Sequence, residues 1–295
     1  MYLSGAAGHP FGMSASWKVH GVVHCKYLRC WEEDDMALFN KSANEKRRRA
    51  GRRVDPETYT ADGTPVYRYE DARETGWRPP APTLYCEEIE AHMDRAFSGR
   101  QVHVLHELMS DFIHIDLHVM EPDAAGGYFV LYTTGMSDLP MSVPCEVQGR
   151  KKLERAELMM LLPGDWDMQA LGGDTQEACW PARLLKFLAR FPHEYDTWFG
   201  AGHTIPNTAD YLPYAENTAL SGTLLIDQPA LAGPLETRDG VRINLYTALP
   251  LYREEMEYKL DYGLDALMER MERFKPFILD VARENVCADS APEGV

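Results

Sequence analysis

The stretch Phe112-Ile-His-Ile-Asp-Leu-His-Val-Met120 alternates apolar and polar residues from Ile113 to Val119. Successive side chains of a strand point to opposite faces. The pattern therefore predicts a strand with Ile113, Ile115, Leu117 and Val119 on one side and His114, Asp116 and His118 on the other. Glu121 to Gly127 supplies a turn and Tyr128 to Thr134 a second strand, so the two segments pair as a hairpin. Further along, Ala156 to Leu162 (AELMMLL) is an almost wholly apolar run stopped by Pro163-Gly164-Asp165-Trp166. Its length predicts a buried central strand, although Leu and Met alone would suit a helix. Leu220 to Ile226 and Val241 to Leu249 are further strand candidates, and Trp17 to Cys30 holds one or two short ones.

Helical spacing separates these strands. Ile89, Met93, Ala96 and Phe97 form one stripe of a helix opening near Thr83, with Thr83 as cap, Glu87 or Glu88 behind it, and Gly99 as stop. Trp31 to Phe39 suits a helical turn. Trp180 to Arg190 predicts a helix with Pro181 in its first turn and Leu184, Leu185, Leu188 and Phe191 on its apolar face. Tyr252 to Phe274 predicts one helix of about six turns, with Met256, Leu260, Leu264, Leu267, Met268, Met271 and Phe274 at 3–4 spacing and Pro276 after its end. Helices and strands mix without regular alternation. The fold class expected is α+β, a mixed β-sheet flanked by α-helices, with an N-terminal extension.

The chain has 295 residues and a formal net charge of −16. An aromatic content of 11% is enough for a packed core and argues against a disordered chain. Polyanions repel such a surface, so general nucleic-acid binding is disfavoured. The charge is segregated: Lys41 to Arg53 (KSANEKRRRAGRR) carries +6, leaving −22 for the rest. That run suits a solvated loop, or a contact to nucleic acid or an acidic partner. Asp55 to Pro82 is rich in turn formers, which places a boundary near Pro79–Pro82. The expected organisation is an extension over 1–82, a domain over 83–279 and a tail over 280–295. No apolar run is long enough for a transmembrane helix, and Met1 to Met13 lacks the basic start of a signal peptide. Six scattered cysteines suggest reduced thiols in the cytoplasm.

His114, Asp116 and His118 are the densest chemical cluster. On one strand face they suit a divalent metal, or acid–base chemistry, or a polar face hydrogen-bonded to a neighbouring segment. His103, His106 and His203 are further ligands if the fold brings them near. Cys25 and Cys30, beside His20 and His24, form a weaker cluster, since their gap is wider than a zinc knuckle's. Gly172-Gly173-Asp174 reads as a turn. No nucleophile elbow, phosphate loop or dinucleotide fingerprint occurs. Two loops, Thr134 to Met141 (TGMSDLPM) and Trp198 to Asn207 (WFGAGHTIPN), combine tight-turn residues with large side chains suited to binding.

The runs HIDLHVMEP (114–122), YFVLYTTGMSDLPM (128–141) and AELMMLLPGDW (156–166) resemble the Suppressor-of-fused-like (SUFU) domain family in its bacterial form. So do WPARLLKFLARFPHEYDTWFGAGHTIPN (180–207), PYAENTALSGTLLI (213–226) and TALPLYREEMEYKLDYGLDALMERMER (247–273). The likeness covers Leu84 to Phe274. It implies a protein-binding domain rather than an enzyme, with no catalytic residue, cofactor or metal. The animal member sequesters a transcription-factor peptide by strand addition between two domains, and only one of those domains has a counterpart here. Bacterial members are taken as immunity proteins that neutralise polymorphic toxins, and an acidic chain suits a basic toxin. On that reading the partner contacts are Met136, Ser137, Asp138, Trp198, Phe199, His203 and Asn207. The competing readings are a metal-dependent enzyme using His114, Asp116 and His118, and a regulatory protein that sequesters a partner and touches nucleic acid through Lys41–Arg53.

Overall fold

Of the alternating stretch, Asp116–Met120 forms a strand inside a large mixed sheet, shorter than expected because Ile113–Ile115 lead into it outside the ladder. A computed structural model describes residues 22–24, 56–59, 65–69, 83–107, 113–123, 127–173 and 175–290. The elements are β1 (Val22–His24), β2 (Thr58–Tyr59), β3 (Pro65–Val66), α1 (Cys86–Ala96), β4 (Val102–His106), β5 (Asp116–Met120) and β6 (Tyr128–Thr134). There follow β7 (Ala156–Pro163), α2 (Gln176–Glu194), β8 (Thr204–Pro206), β9 (Gly222–Asp227), β10 (Leu235–Glu236) and β11 (Arg242–Leu251). The last helices are α3 (Arg253–Tyr262) and α4 (Leu264–Met271). The main sheet runs β1-β4-β5-β6-β7-β11-β9-β8, with β10 also paired to β11. The β1–β4 and β7–β11 pairs are parallel and the others antiparallel, so the class is α+β with a mixed sheet.

Strand alternation sorts side chains into two cores. Leu117, Val119, Leu131, Leu158, Met160 and Leu162 pack with Leu185 and Leu188 of α2. Met120, Val130, Tyr132, Met159 and Leu161 pack with Ile89 and Met93 of α1. All of β5 is buried, because both sheet faces are covered. The β5–β6 hairpin and the central position of β7 are as expected. A third cluster joins β9 and β11 to Met256 of α3 and Leu267 and Met271 of α4.

The helices differ from expectation in their limits. α1 opens at Cys86 rather than Thr83, and Tyr85 precedes it without a side-chain cap. Its stripe is Ile89, Met93 and Phe97, at strict four-residue spacing, while Ala96 is exposed. α2 is longer than expected, so Pro181 sits in its second turn. Proline lacks the N–H that would bond the Glu177 carbonyl, and that carbonyl accepts from Asn217 Nδ2 at 3.3 Å instead. The single helix expected over Tyr252–Phe274 is two helices and a 3-10 turn. Gly263 breaks it with φ 86°, a conformation that favours glycine. Apolar spacing runs unbroken across Gly263 because both helices lie on the same core.

The packed chain continues past residue 279. Leu279 N–H donates to the Leu161 carbonyl at 2.8 Å, and Arg283 and Cys287 are buried. Part of the expected extension also packs: Tyr69 sets its ring edge-on to Phe191 and Tyr195 and bonds Thr197. Cys86, Cys145, Cys179 and Cys287 are free thiols. Among the described residues no helix is long and apolar enough to cross a membrane. The Lys41–Arg53 run, the Trp31–Phe39 turn, the Cys25/Cys30 cluster with His20, the Pro79–Pro82 boundary, Phe112, Asp174 and the last five residues lie outside the described residues.

Candidate functional site

The register of β4 against β5 decides which histidines meet. Leu105 stands opposite Leu117, which brings His106 beside Asp116 at the end of the pair. His106 Nδ1 lies 2.8 Å from Asp116 Oδ2, and His114 Nε2 lies 2.9 Å from Asp116 Oδ1. Asp116 Oδ1 also accepts the Glu107 N–H at 3.0 Å. Glu107 is fixed in turn by the Ile115 N–H at 3.1 Å and by Arg190 of α2. Burial opposes ionisation of Asp116, yet the His114 hydrogen bond and the Glu107 N–H win and bring its carboxyl down to about 2. The bond to Asp116 also raises His114 against the opposing effect of burial.

His118 is sorted into a different cluster. It stacks on Tyr132 at 4.6 Å, and its Nε2 lies 2.9 Å from Thr134 Oγ1. Cys86 Sγ lies 4.0 Å from Nε2, and Glu90 Oε1 lies 3.5 Å from Nδ1. Burial holds His118 neutral, down to about 4, and pushes the Cys86 thiol up to about 11. His103 faces the other side of β4 and meets Glu121 at 2.8 Å. His203 is remote, edge-on to Trp198 at 4.5 Å. The three residues of the alternating strand therefore do not converge on one point.

The Gly-Met-Ser-Asp turn is built on a buried carboxylate. Met136–Asp138 is a 3-10 turn behind Gly135. Glu157, fully buried on β7, accepts from the Gly135 N–H at 3.0 Å, the Ser137 N–H at 2.9 Å, the Ser137 hydroxyl at 2.6 Å and the Thr133 hydroxyl at 2.7 Å. These bonds favour the anion, but burial outweighs them and lifts Glu157 to about 7. His193 of α2 holds the Met136 carbonyl at 2.9 Å, and Arg155 donates to that of Ser137.

On another part of the surface lies a cavity of about 570 Å³, lined by Trp198, Gly200, Lys152, Arg242, Asn244 and Tyr246 among others. Its wall is braced by Asn244, whose Nδ2 donates to the Lys152 carbonyl at 2.7 Å and the Arg155 carbonyl at 3.1 Å.

The sequence model of the Suppressor of fused protein (SUFU) family matches residues 111–284, which include β5, the Gly-Met-Ser-Asp turn and the Trp198 loop. The chain belongs to the SUFU family. Among solved structures it is similar to a SUFU homologue from Neisseria gonorrhoeae FA 1090, at 13% identity and a TM-score of 0.48 over 68% of this chain and 96% of that one. A Sufu–Fu complex aligns at 16% identity and a TM-score of 0.49 over 71% and 93% of the two chains. Drosophila Suppressor of Fused aligns at 13% identity and a TM-score of 0.49, covering 70% of this chain and 52% of that one. Comparison with curated protein sequences gives no match.

In this SUFU domain the seven expected contact residues do not share one surface. Met136, Ser137 and Phe199 are buried and face the core. His203 is half-buried, and burial first, then the Lys259 charge, lowers it to about 4. Asp138 is occupied by the Leu84 N–H at 2.9 Å. Asn207 Nδ2 closes its own loop on the Leu212 and Pro213 carbonyls at 2.9 and 3.3 Å. Trp198 alone of the seven lines the cavity. Glu157 is outside the residues expected from sequence, although a lone carboxylate inside AELMMLL is a visible signal of a buried acid. Glu107 and Glu90 are outside them too and carry no such mark in the sequence.

Proposed function

We propose that this SUFU domain is a non-enzymatic protein-binding module that neutralises a polymorphic toxin by direct association in the cytoplasm. The observation that carries the reading is Trp198 at the wall of the 570 Å³ cavity. An aromatic side chain in a hollow also lined by Lys152, Arg242 and Asp227 supports a protein contact, where aromatic and arginine side chains are enriched. Family membership supports a binding role. The net charge of −16 favours fast encounter with a basic toxin and leaves the association salt-sensitive. The binding unit in this reading begins near residue 83 and includes the chain through Cys287, with residues 1–82 as an extension. A regulatory sequestering role would use the same contact and differ only in the partner.

The test is co-purification of the full chain with the toxin encoded beside its gene, together with protection of cells that express that toxin. A stable complex and restored growth are expected. Absence of both would overturn the reading.

A further inference from the structure

We propose that His106, His114 and Asp116 form a binding site for one divalent transition-metal ion, with zinc as the reference ion. The three ligand atoms all lie within 4.8 Å of one another. Two imidazoles and one carboxylate are a donor set that divalent zinc and iron accept, and three protein ligands leave a position for water. The histidines approach one carboxylate from different segments: His106 ends β4, while His114 precedes β5. They turn opposite ring nitrogens to it, Nδ1 from His106 and Nε2 from His114.

The spacing is close to that of a loaded site. Tetrahedral ligation at the usual bond lengths separates ligand atoms by about 3.3 Å. The observed contacts, 2.8 and 2.9 Å, run to different oxygens of Asp116, Oδ2 and Oδ1, and one atom from each residue falls within a 4.8 Å set. Rotation of the carboxylate and the two rings turns these atoms toward a common point. As the ion enters, each ring offers it the lone pair of the nitrogen facing Asp116: a neutral ring carries its one proton on the other nitrogen, and a protonated ring releases its second proton to water. The supporting shell is already built: the Glu107 N–H orients Asp116, and Ile115 and Arg190 fix Glu107. Such outer partners hold ligands in place before the ion arrives. An entry path exists, since the side chains of His106 and His114 are 29% and 14% exposed while that of Asp116 is 8% exposed. This site differs from the trio expected in sequence: His106 takes the place of His118, because register and not spacing along one strand brings the donors together.

The experiment uses the full untagged chain, stripped with chelator and titrated with zinc chloride and, separately, with cobalt(II). One equivalent of zinc is expected, with a rise in melting temperature and a cobalt spectrum of nitrogen and oxygen ligation. His106→Ala and His114→Ala should each weaken zinc by about tenfold or more, while Cys86→Ser leaves it unchanged. Three results would overturn the site: no stoichiometric binding, affinity unchanged in both histidine variants, or a cobalt–thiolate charge-transfer band. If an alanine variant does not fold, His106→Gln and the wild-type cobalt spectrum decide.

Discussion

A Cβ atom on Gly135 would lie 1.9 Å from the carbonyl oxygen of His114. The HIDLH strand and the Gly-Met-Ser-Asp turn thus touch backbone to backbone, in a space that admits no side chain. Gly135 also has φ 107°, outside the range ordinary residues prefer. Gly135→Ala should therefore destabilise by about 3 kcal/mol through strain and displacement of the turn. Urea unfolding would show it as a lower midpoint at unchanged slope. Wild-type stability would mean that the turn and the strand separate at little cost.

Glu157 makes a pH prediction whose sign can be worked out. Its folded pKa, about 7, lies above the ordinary carboxylate value. Between about pH 4.5 and 7 the folded chain keeps a proton that the unfolded chain has lost, so this group's contribution falls as pH rises and is flat above. The effect is on the order of 3 kcal/mol. His118, His193 and His203 act oppositely, since burial holds each down to about 4. Their contribution is present above the unfolded pKa, about 6.5, and is lost as pH falls toward 4. Glu90, Asp138, Asp227 and His114 are raised as well and act in the direction of Glu157, so the wild-type slope is the sum of both sets and the test is the change when one group is removed. Glu157→Gln keeps the acceptor for the turn and cannot titrate, so between about pH 4.5 and 6.5 its stability should rise more, or fall less, than wild type's. Parallel curves would show that Glu157 does not titrate in this window.

Much of this fold is legible because burial imposes period. The apolar run of β7 follows from a strand packed on both faces, and the alternation of Ile113 to Val119 from a segment with an apolar core on one side and a hydrogen-bonded polar cluster on the other. Gly263 was illegible for the same reason: apolar spacing records the core a helix lies on and not whether the backbone is continuous. The chemical face was half legible. Spacing put Asp116 and His118 on one face of β5, but only the register of β4 brings His106 to Asp116, and only α1 brings Cys86 and Glu90 to His118. In the two loops glycine and aromatic residues read the same whether a loop presents its rings or folds them inward. Phe199 turns inward and Trp198 reaches the cavity.

The segment after residue 279 packs into the core through Arg283 and Cys287. Arg283 forms a buried pair with Glu255, with nitrogen–oxygen contacts of 2.5 Å and side chains 5% and 0% exposed. It also donates to the Pro250 carbonyl at 3.0 Å. Removing one member of such a pair leaves an uncompensated buried charge, a cost of about 3–5 kcal/mol. Arg283→Met and a chain ending at residue 279 should lose comparable stability in thermal unfolding, the truncation more because Cys287 and Val281 leave with it. A stable chain ending at 279 would return these residues to the status of a tail.

Adjacent aromatic residues give the sharpest separation of binding from folding. Phe199 is buried, stacked on Phe191 at 5.6 Å, and its N–H lies 3.4 Å from Met141 Sδ. Phe199→Ala should cost about 3–5 kcal/mol by leaving a cavity. Any loss of partner binding should then track the unfolded fraction. Trp198 is half-buried at the cavity, with Gly200 so close that an added Cβ would meet its ring at 2.8 Å. Trp198→Ala removes the aromatic wall while leaving Phe199 in the core. Binding of the toxin partner should weaken by about 2 kcal/mol or more, the scale of an interface hot spot, with a smaller change in unfolding midpoint. Calorimetric binding beside denaturant unfolding for both variants separates the two effects. If Trp198→Ala binds as wild type does while folded, the partner does not use this cavity.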